Sequence, residues 1–147
     1  MKISRNGSDT RSGGLKKKLV IVPFKQKPKL PDNFEASTWK ILEAAIHAVN
    51  TKVSVVTPKE ELYRAVEDLC MHKMAPSTYE KLAIECSNHI ASKISALNRS
   101  VLDGSDFLGL VDSTWQDHCH HMIIIRNIFL YLDRSYALNT PRVLSIW

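Results

Sequence analysis

From Ser37 onward the apolar residues recur at helical spacing. Trp39, Leu42, Ile46 and Val49 fall at i, i+3, i+7 and i+10, which predicts a first helix that buries one face, with Ser37 or Thr38 as its N-cap. The β-branched stretch 51–56 interrupts the pattern, and Thr57-Pro58-Lys59-Glu60 then has the form of a capping box with proline at the first helical position. The second helix, over about 58–73, sets Leu62, Tyr63, Val66, Leu69 and Cys70 on one side, with Lys59, Glu60, Arg64, Glu67 and Asp68 elsewhere. Such a helix docks by one stripe and presents the other. Ser77-Thr78-Tyr79-Glu80 has the form of another capping box, opening a third helix that runs to about Asn98. Its apolar positions Tyr79, Leu82, Ala83, Cys86, Ile90, Ile94 and Leu97 keep a heptad-like spacing.

Past the turn at Leu102-Asp103-Gly104-Ser105, a fourth repeat is marked by Phe107, Val111, Trp115, Cys119, Met122, Arg126, Phe129 and Asp133. It predicts one helix lasting to about Leu138 and, at ~1.5 Å per residue, ~50 Å long. Residues 122–132 are apolar on nearly all sides, so this helix is expected at the centre of the bundle, with neighbours all round. Asn139-Thr140-Pro141 stops it, because proline disfavours helix at the residue before it. The closing stub, 142–147, is apolar and aromatic. The fold class expected is all-α, a helical bundle.

Length and composition agree with that reading. A chain of 147 residues has room for one domain and buries roughly 70% of the surface its unfolded form exposes. At 44% hydrophobic and 24% charged residues it is expected to fold over most of its length. The opening 1–14 is polar and Gly/Ser-rich, reading as a disordered tail rather than a signal peptide. Cys70, Cys86 and Cys119 are odd in number, far apart and never in a CxxC pair, which argues for buried thiols in a reducing compartment. The run 122–132 is too short to span a bilayer and contains Arg126.

Charge is unevenly placed. The net +5 divides into +8 over residues 1–29, with nine Lys/Arg and one Asp, and −3 over the remainder. The basic excess therefore lies in an arm, taken as 15–35. Within it Leu19-Val20-Ile21-Val22-Pro23-Phe24 reads as an extended segment with no partner strand elsewhere, to be packed on its own domain or laid along another protein. Lys16-Lys17-Lys18 suits nuclear import, a nucleic-acid contact or simply a solvated tail.

Candidate chemistry is sparse. In Asp117-His118-Cys119-His120-His121 only His118 and His121 share a helical face, and a zinc site would need ligands from another helix. The plainer expectation is a solvent-facing polar stretch with no metal and no cofactor. Cys119 beside histidines in sequence does not supply the hydrogen-bond geometry of an activated nucleophile. No phosphate loop, HExxH or GxSxG occurs. The residues alone point to a non-enzymatic helical interaction domain, with a nucleic-acid-binding module on the basic arm as the alternative from a different class.

Three strings carry a family resemblance. They are Lys27-Pro28-Lys29-Leu30-Pro31-Asp32-Asn33-Phe34 with Thr38-Trp39, then 61–70 (ELYRAVEDLC), then 115–119 with 122–134 (WQDHC and MIIIRNIFLYLDR). Over about residues 15–147 the chain resembles the start of a cullin, of the cullin-4 type in particular. Cullins are elongated scaffolds of ubiquitin ligases whose N-terminal part is built from five-helix cullin repeats. The resemblance implies a first repeat spanning 36–147, with its fifth helix only opening at Leu144-Ser145-Ile146-Trp147, and none of the end that recruits the RING-box protein. It implies a non-catalytic role in ubiquitin-dependent protein catabolism, in nucleus and cytoplasm. The implied partner is the damaged-DNA-binding adaptor made of three β-propellers, with no membrane partner and no main role for nucleic acid. By position, adaptor contacts would come from Leu19, Val20, Ile21 and Phe24 of the arm, from Glu60, Tyr63, Arg64, Glu67 and Met71 of the second helix, and from Leu144, Ile146 and Trp147. Tyr63 would serve either core or interface.

Overall fold

The computed structural model describes residues 30–100 and 104–146. The expected arm contacts Leu19, Val20, Ile21 and Phe24, the tail 1–14 and Trp147 lie outside the described residues. The helices belong to the unit spanning 31–147. They are α1 (Phe34–Asn50), α2 (Lys59–Met71), α3 (Ala75–Arg99) and α4 (Gly104–Ile128), then a short α5 (Leu130–Leu132) and a π-turn at Asp133–Ala137. The described residues form no strand. The all-α bundle is as the hydrophobic spacing and the family likeness imply.

The helix starts differ from expectation because backbone and tertiary partners replace the side-chain caps. The first helix begins at Phe34 and so takes in the last two residues of the arm as bounded, because the Phe34 N–H already donates to the Pro31 carbonyl at 3.0 Å. Ser37 does not cap; its hydroxyl donates back to the Phe34 carbonyl, and Thr38 is buried. At α2, Pro58 occupies the cap position and its carbonyl accepts the N–H groups of Glu61 and Leu62, while Thr57 makes no capping bond. Helix α3 starts at Ala75 with Pro76 in its first turn. Ser77 is thereby freed to donate to Glu35 at 2.6 Å, and Thr78 donates to the Met74 carbonyl.

The core matches the α1 stripe. Trp39, Leu42, Ile46 and Val49 are buried against Leu62, Val66 and Leu69 of α2, Leu82 of α3, and Ile125, Ile128, Phe129 and Leu132. Helix α4 packs on α1, α2 and α3, but each of those packs on the other three as well, and Ile123 within the apolar run of α4 is 47% exposed, so α4 is one of four mutually packed helices rather than the centre expected. It is not one unbroken helix. The ladder gives way after Ile128, resumes at 130–132, and widens to an i+5 bond from the Leu138 N–H to the Asp133 carbonyl. A π-turn of this kind adds a residue to one turn and rotates the downstream residues relative to a straight helix.

Two other expectations are corrected. The α3 stripe fades along its length: Leu82 is buried, Cys86 is half-buried, and Ile90 and Ile94 are exposed, where they line a cleft shared with α4. All three cysteines are half-buried rather than buried. Burial still raises the Cys70 and Cys86 thiols above their ordinary range, so thiolate is disfavoured at both.

Candidate protein-interaction surface

The buried stripe of α2, Leu62, Val66 and Leu69, fixes the rotation of the helix, and that rotation decides what points outward. Glu60, Tyr63, Arg64, Glu67 and Met71 stand at i, i+3, i+4, i+7 and i+11, and so form one row on the other side. Glu60, Arg64 and Met71 are exposed, Met71 at 67%, and Glu67 is half-buried. Tyr63 falls on this row rather than in the core, with 36% of its surface open. It is nonetheless held in place: its ring meets that of Tyr131 edge-on, centroids 6.2 Å apart and planes at 88°. The arrangement is an aromatic and a thioether flanked by charges of both signs, on a rigid helix. That composition suits docking against another protein and offers no nucleophile, base and orienting group in contact.

The closing segment is positioned separately. The Tyr79 hydroxyl donates to the Leu144 carbonyl at 2.9 Å, and one carboxylate oxygen of buried Asp133 accepts both the Ser145 hydroxyl and the Ile146 N–H, each at 2.9 Å. The Leu144 side chain is left 79% exposed, whereas Ile146 is half-buried against the core. The expected contact residues thus occupy two places: the outer row of α2, and the anchored segment beside α3 and the π-turn. Sequence reading set Asp133 on the fourth repeat but missed its role as an anchor, which exists only once Ser145 and Ile146 fold back on it. It also missed Leu138, exposed at the end of the π-turn.

The histidine cluster divides in a way the solvent-facing expectation does not allow. His120 is exposed, His118 and Cys119 are half-buried, and His121 is buried, its ring 6.0 Å from that of His89 on α3. Desolvation holds the imidazoles of His121 and His89 below their ordinary range, and hence neutral. Among the described residues no three His, Cys, Asp or Glu side chains come together to hold a metal ion. No described helix is long and apolar enough to cross a membrane.

Comparison with known proteins agrees with this architecture. The family model of the cullin alpha solenoid domain matches residues 39–147. Human Cullin-4A is 45% identical over 134 residues, covering 91% of this chain and 18% of its own length. Cullin-4 of Dictyostelium discoideum is 44% identical over 135 residues, covering 90% of this chain and 17% of its own length. Cullin-3B of Arabidopsis thaliana is 31% identical over 127 residues, covering 86% and 17%. The chain therefore spans less than a fifth of the curated relatives it matches. A bundle of four long helices, the match to the alpha solenoid model over about three quarters of the chain, and identity reaching 45% to cullin-4 proteins together place this chain in the cullin family.

Proposed function

We propose that this chain is a scaffold segment of a cullin-4-type RING ubiquitin ligase, and that its part in ubiquitin-dependent protein catabolism is to hold the ligase's substrate-receptor adaptor. The role is non-catalytic, exercised in nucleus and cytoplasm. The adaptor proposed is the triple-propeller damaged-DNA-binding protein, and the contact face is the outer row of α2. The observation that carries this reading is that row itself. Tyr63 is braced by Tyr131 and Met71 stands open, on a helix whose other side is locked into the core. A braced aromatic loses little freedom on binding, and covering one large apolar side chain contributes about 1.5–3 kcal/mol. Leu144 and Ile146, and from the basic arm Leu19, Val20, Ile21 and Phe24, would extend the contact.

The test is a titration of the 147-residue chain against the purified adaptor, beside a Tyr63→Asp, Met71→Asp variant whose helical content is unchanged. Saturable binding by the parent and its loss in the variant is the expected result. A folded parent that does not bind, or a variant that binds equally well, rejects the α2 face. Added in excess to a reconstituted cullin-4 ligase, the binding-competent chain is expected to lower substrate ubiquitination by occupying the adaptor.

A further inference from the structure

The chain contains Thr57-Pro58 and Thr140-Pro141, and the fold treats the two pairs differently. A kinase that reads proline directly after its acceptor hydroxyl takes that stretch as an extended strand, so the backbone there must be free of bonds of its own. Both threonines are half-buried, and the difference lies in the backbone. The Thr140 N–H donates to the Ala137 carbonyl, and its own carbonyl accepts the Val143 N–H across a tight turn that holds Arg142 at φ 70°. That turn has to open before a kinase could thread it.

Thr57 is already open. Residues 54–57 lie outside the helices, and among the described residues no backbone hydrogen bond ties them. Val56 is 97% exposed, and Pro58 is exposed and extended at φ −57° and ψ 144°. The Thr57 hydroxyl has no hydrogen-bond partner among the described residues. Thr57 also lines an open hollow of about 700 Å³ together with Lys52, Lys59 and His120. Asp117, on the same wall, is already paired with Lys52 at 2.7 Å. Glu60 and Glu61, which follow in the first turn of α2, are exposed, so water and salt weaken their repulsion of an incoming anion.

We infer that Thr57 is a phosphorylation site for a proline-directed serine/threonine kinase, and that Lys52 and Lys59 pair with the phosphate once it is in place. The Thr57 oxygen attacks the γ-phosphorus of ATP, the bond from that phosphorus to the β,γ-bridging oxygen breaks, ADP departs, and the hydroxyl proton passes to the kinase's catalytic base. The new group carries a charge of about −1.5 to −2 and three acceptor oxygens, enough to fasten the start of α2 to the loop before it.

The experiment incubates the folded 147-residue chain with Mg-ATP and two active kinases in turn, one mitogen-activated and one cyclin-dependent, and maps the phosphate by mass spectrometry. Synthetic peptides 50–64 and 133–147 are the unfolded controls, in which the two threonines are expected to be modified at similar rates. In the folded chain Thr57 is expected to be modified more than about tenfold faster than Thr140, whose turn must open first. No transfer to Thr57 of the folded chain by either kinase, or equal rates at its two threonines, overturns the assignment. The phosphorylated chain is expected to melt about 2–4 °C above the unmodified one, and the rise is expected to vanish in Lys52→Gln, Lys59→Gln, a variant with both changes in exposed side chains. A melting temperature that stays or falls on phosphorylation, or a rise undiminished in the variant, overturns the pairing with the lysines.

Discussion

The carboxylate of Asp133 holds the backbone N–H of Ile146 at 2.9 Å, thirteen residues away across the Pro141 turn. The same oxygen takes the Ser145 hydroxyl, and the aspartate is 2% exposed. A short apolar segment with no helix of its own is thereby fastened to the bundle.

Asp133→Ala removes the shared acceptor of two donors at once. Leaving a part-buried donor unsatisfied costs about 1–3 kcal/mol, and the expected destabilisation is of that size. Urea midpoints measure it, and limited proteolysis within 140–147 should accelerate in parallel. An unchanged midpoint would mean that the segment is held by the packing of Ile146 alone.

Phe129 is fully buried where α4 gives way to α5, and its ring lies 6.4 Å from that of Trp39. Phe129→Ala is expected to cost about 3–5 kcal/mol, much of the stability of a domain this size. By contrast Tyr63→Asp, on the outer row of α2, is expected to shift the midpoint by less than about 1 kcal/mol. A large loss in Tyr63→Asp would return that tyrosine to the core.

Lys73 ends α2 with φ at 63°, in the left-handed region, while the next N–H, that of Met74, reaches back to the Leu69 carbonyl at 2.9 Å. Glycine is the residue that this helix ending favours. Lys73→Gly is expected to stabilise by about 0.5–1 kcal/mol, since relief of the strain exceeds the added unfolded-state entropy. A drop in melting temperature would show that the lysine contributes a contact of its own.

Acidification should act through His121 and His89. Both imidazoles are held below the ordinary value of 6.5 by burial. At His121 Asp117 pulls the other way, whereas Lys52, His120 and Lys93 add to the depression. The unfolded chain takes up its protons near pH 6.5 and the folded chain only lower, so stability is complete above 6.5, declines as pH falls, and levels off below the folded values. Urea midpoints at pH 7.5, 6.5 and 5.5 should fall in that order, and His121→Leu should flatten part of the slope. A second window opens lower. The hydrogen bond from Lys81, and then that from Ser77, hold the Glu35 carboxyl below its ordinary 4.5. Its contribution is present above 4.5 and lost as pH falls through the folded value. With a third of that side chain in solvent, the amount is less than about 1 kcal/mol.

The number of long helices and the buried stripe of α1 were legible in the sequence. A one-dimensional pattern of period 3.6 states directly which face of a helix is apolar. So was the outer row of α2, once Leu62, Val66 and Leu69 set its rotation. Tyr63 was legible only as an ambiguity, because an aromatic at the edge of a stripe suits either side until its neighbour Tyr131 is placed.

The tertiary structure alone decided the pairs far apart in the chain. Ser77 and Ser37 look like caps in sequence, yet Ser77 is spent on Glu35, forty-two residues away. Ile90, Ile94 and Trp115 repeat like core residues, yet they are exposed and line a cleft between α3 and α4. His121 sits in a polar run and is buried, and Asp133 ends an apolar run and becomes an anchor. Local spacing is set by the backbone repeat and can be read along the chain. Which apolar face finds a partner, and which polar group loses water, depends on contacts between helices that no local repeat encodes.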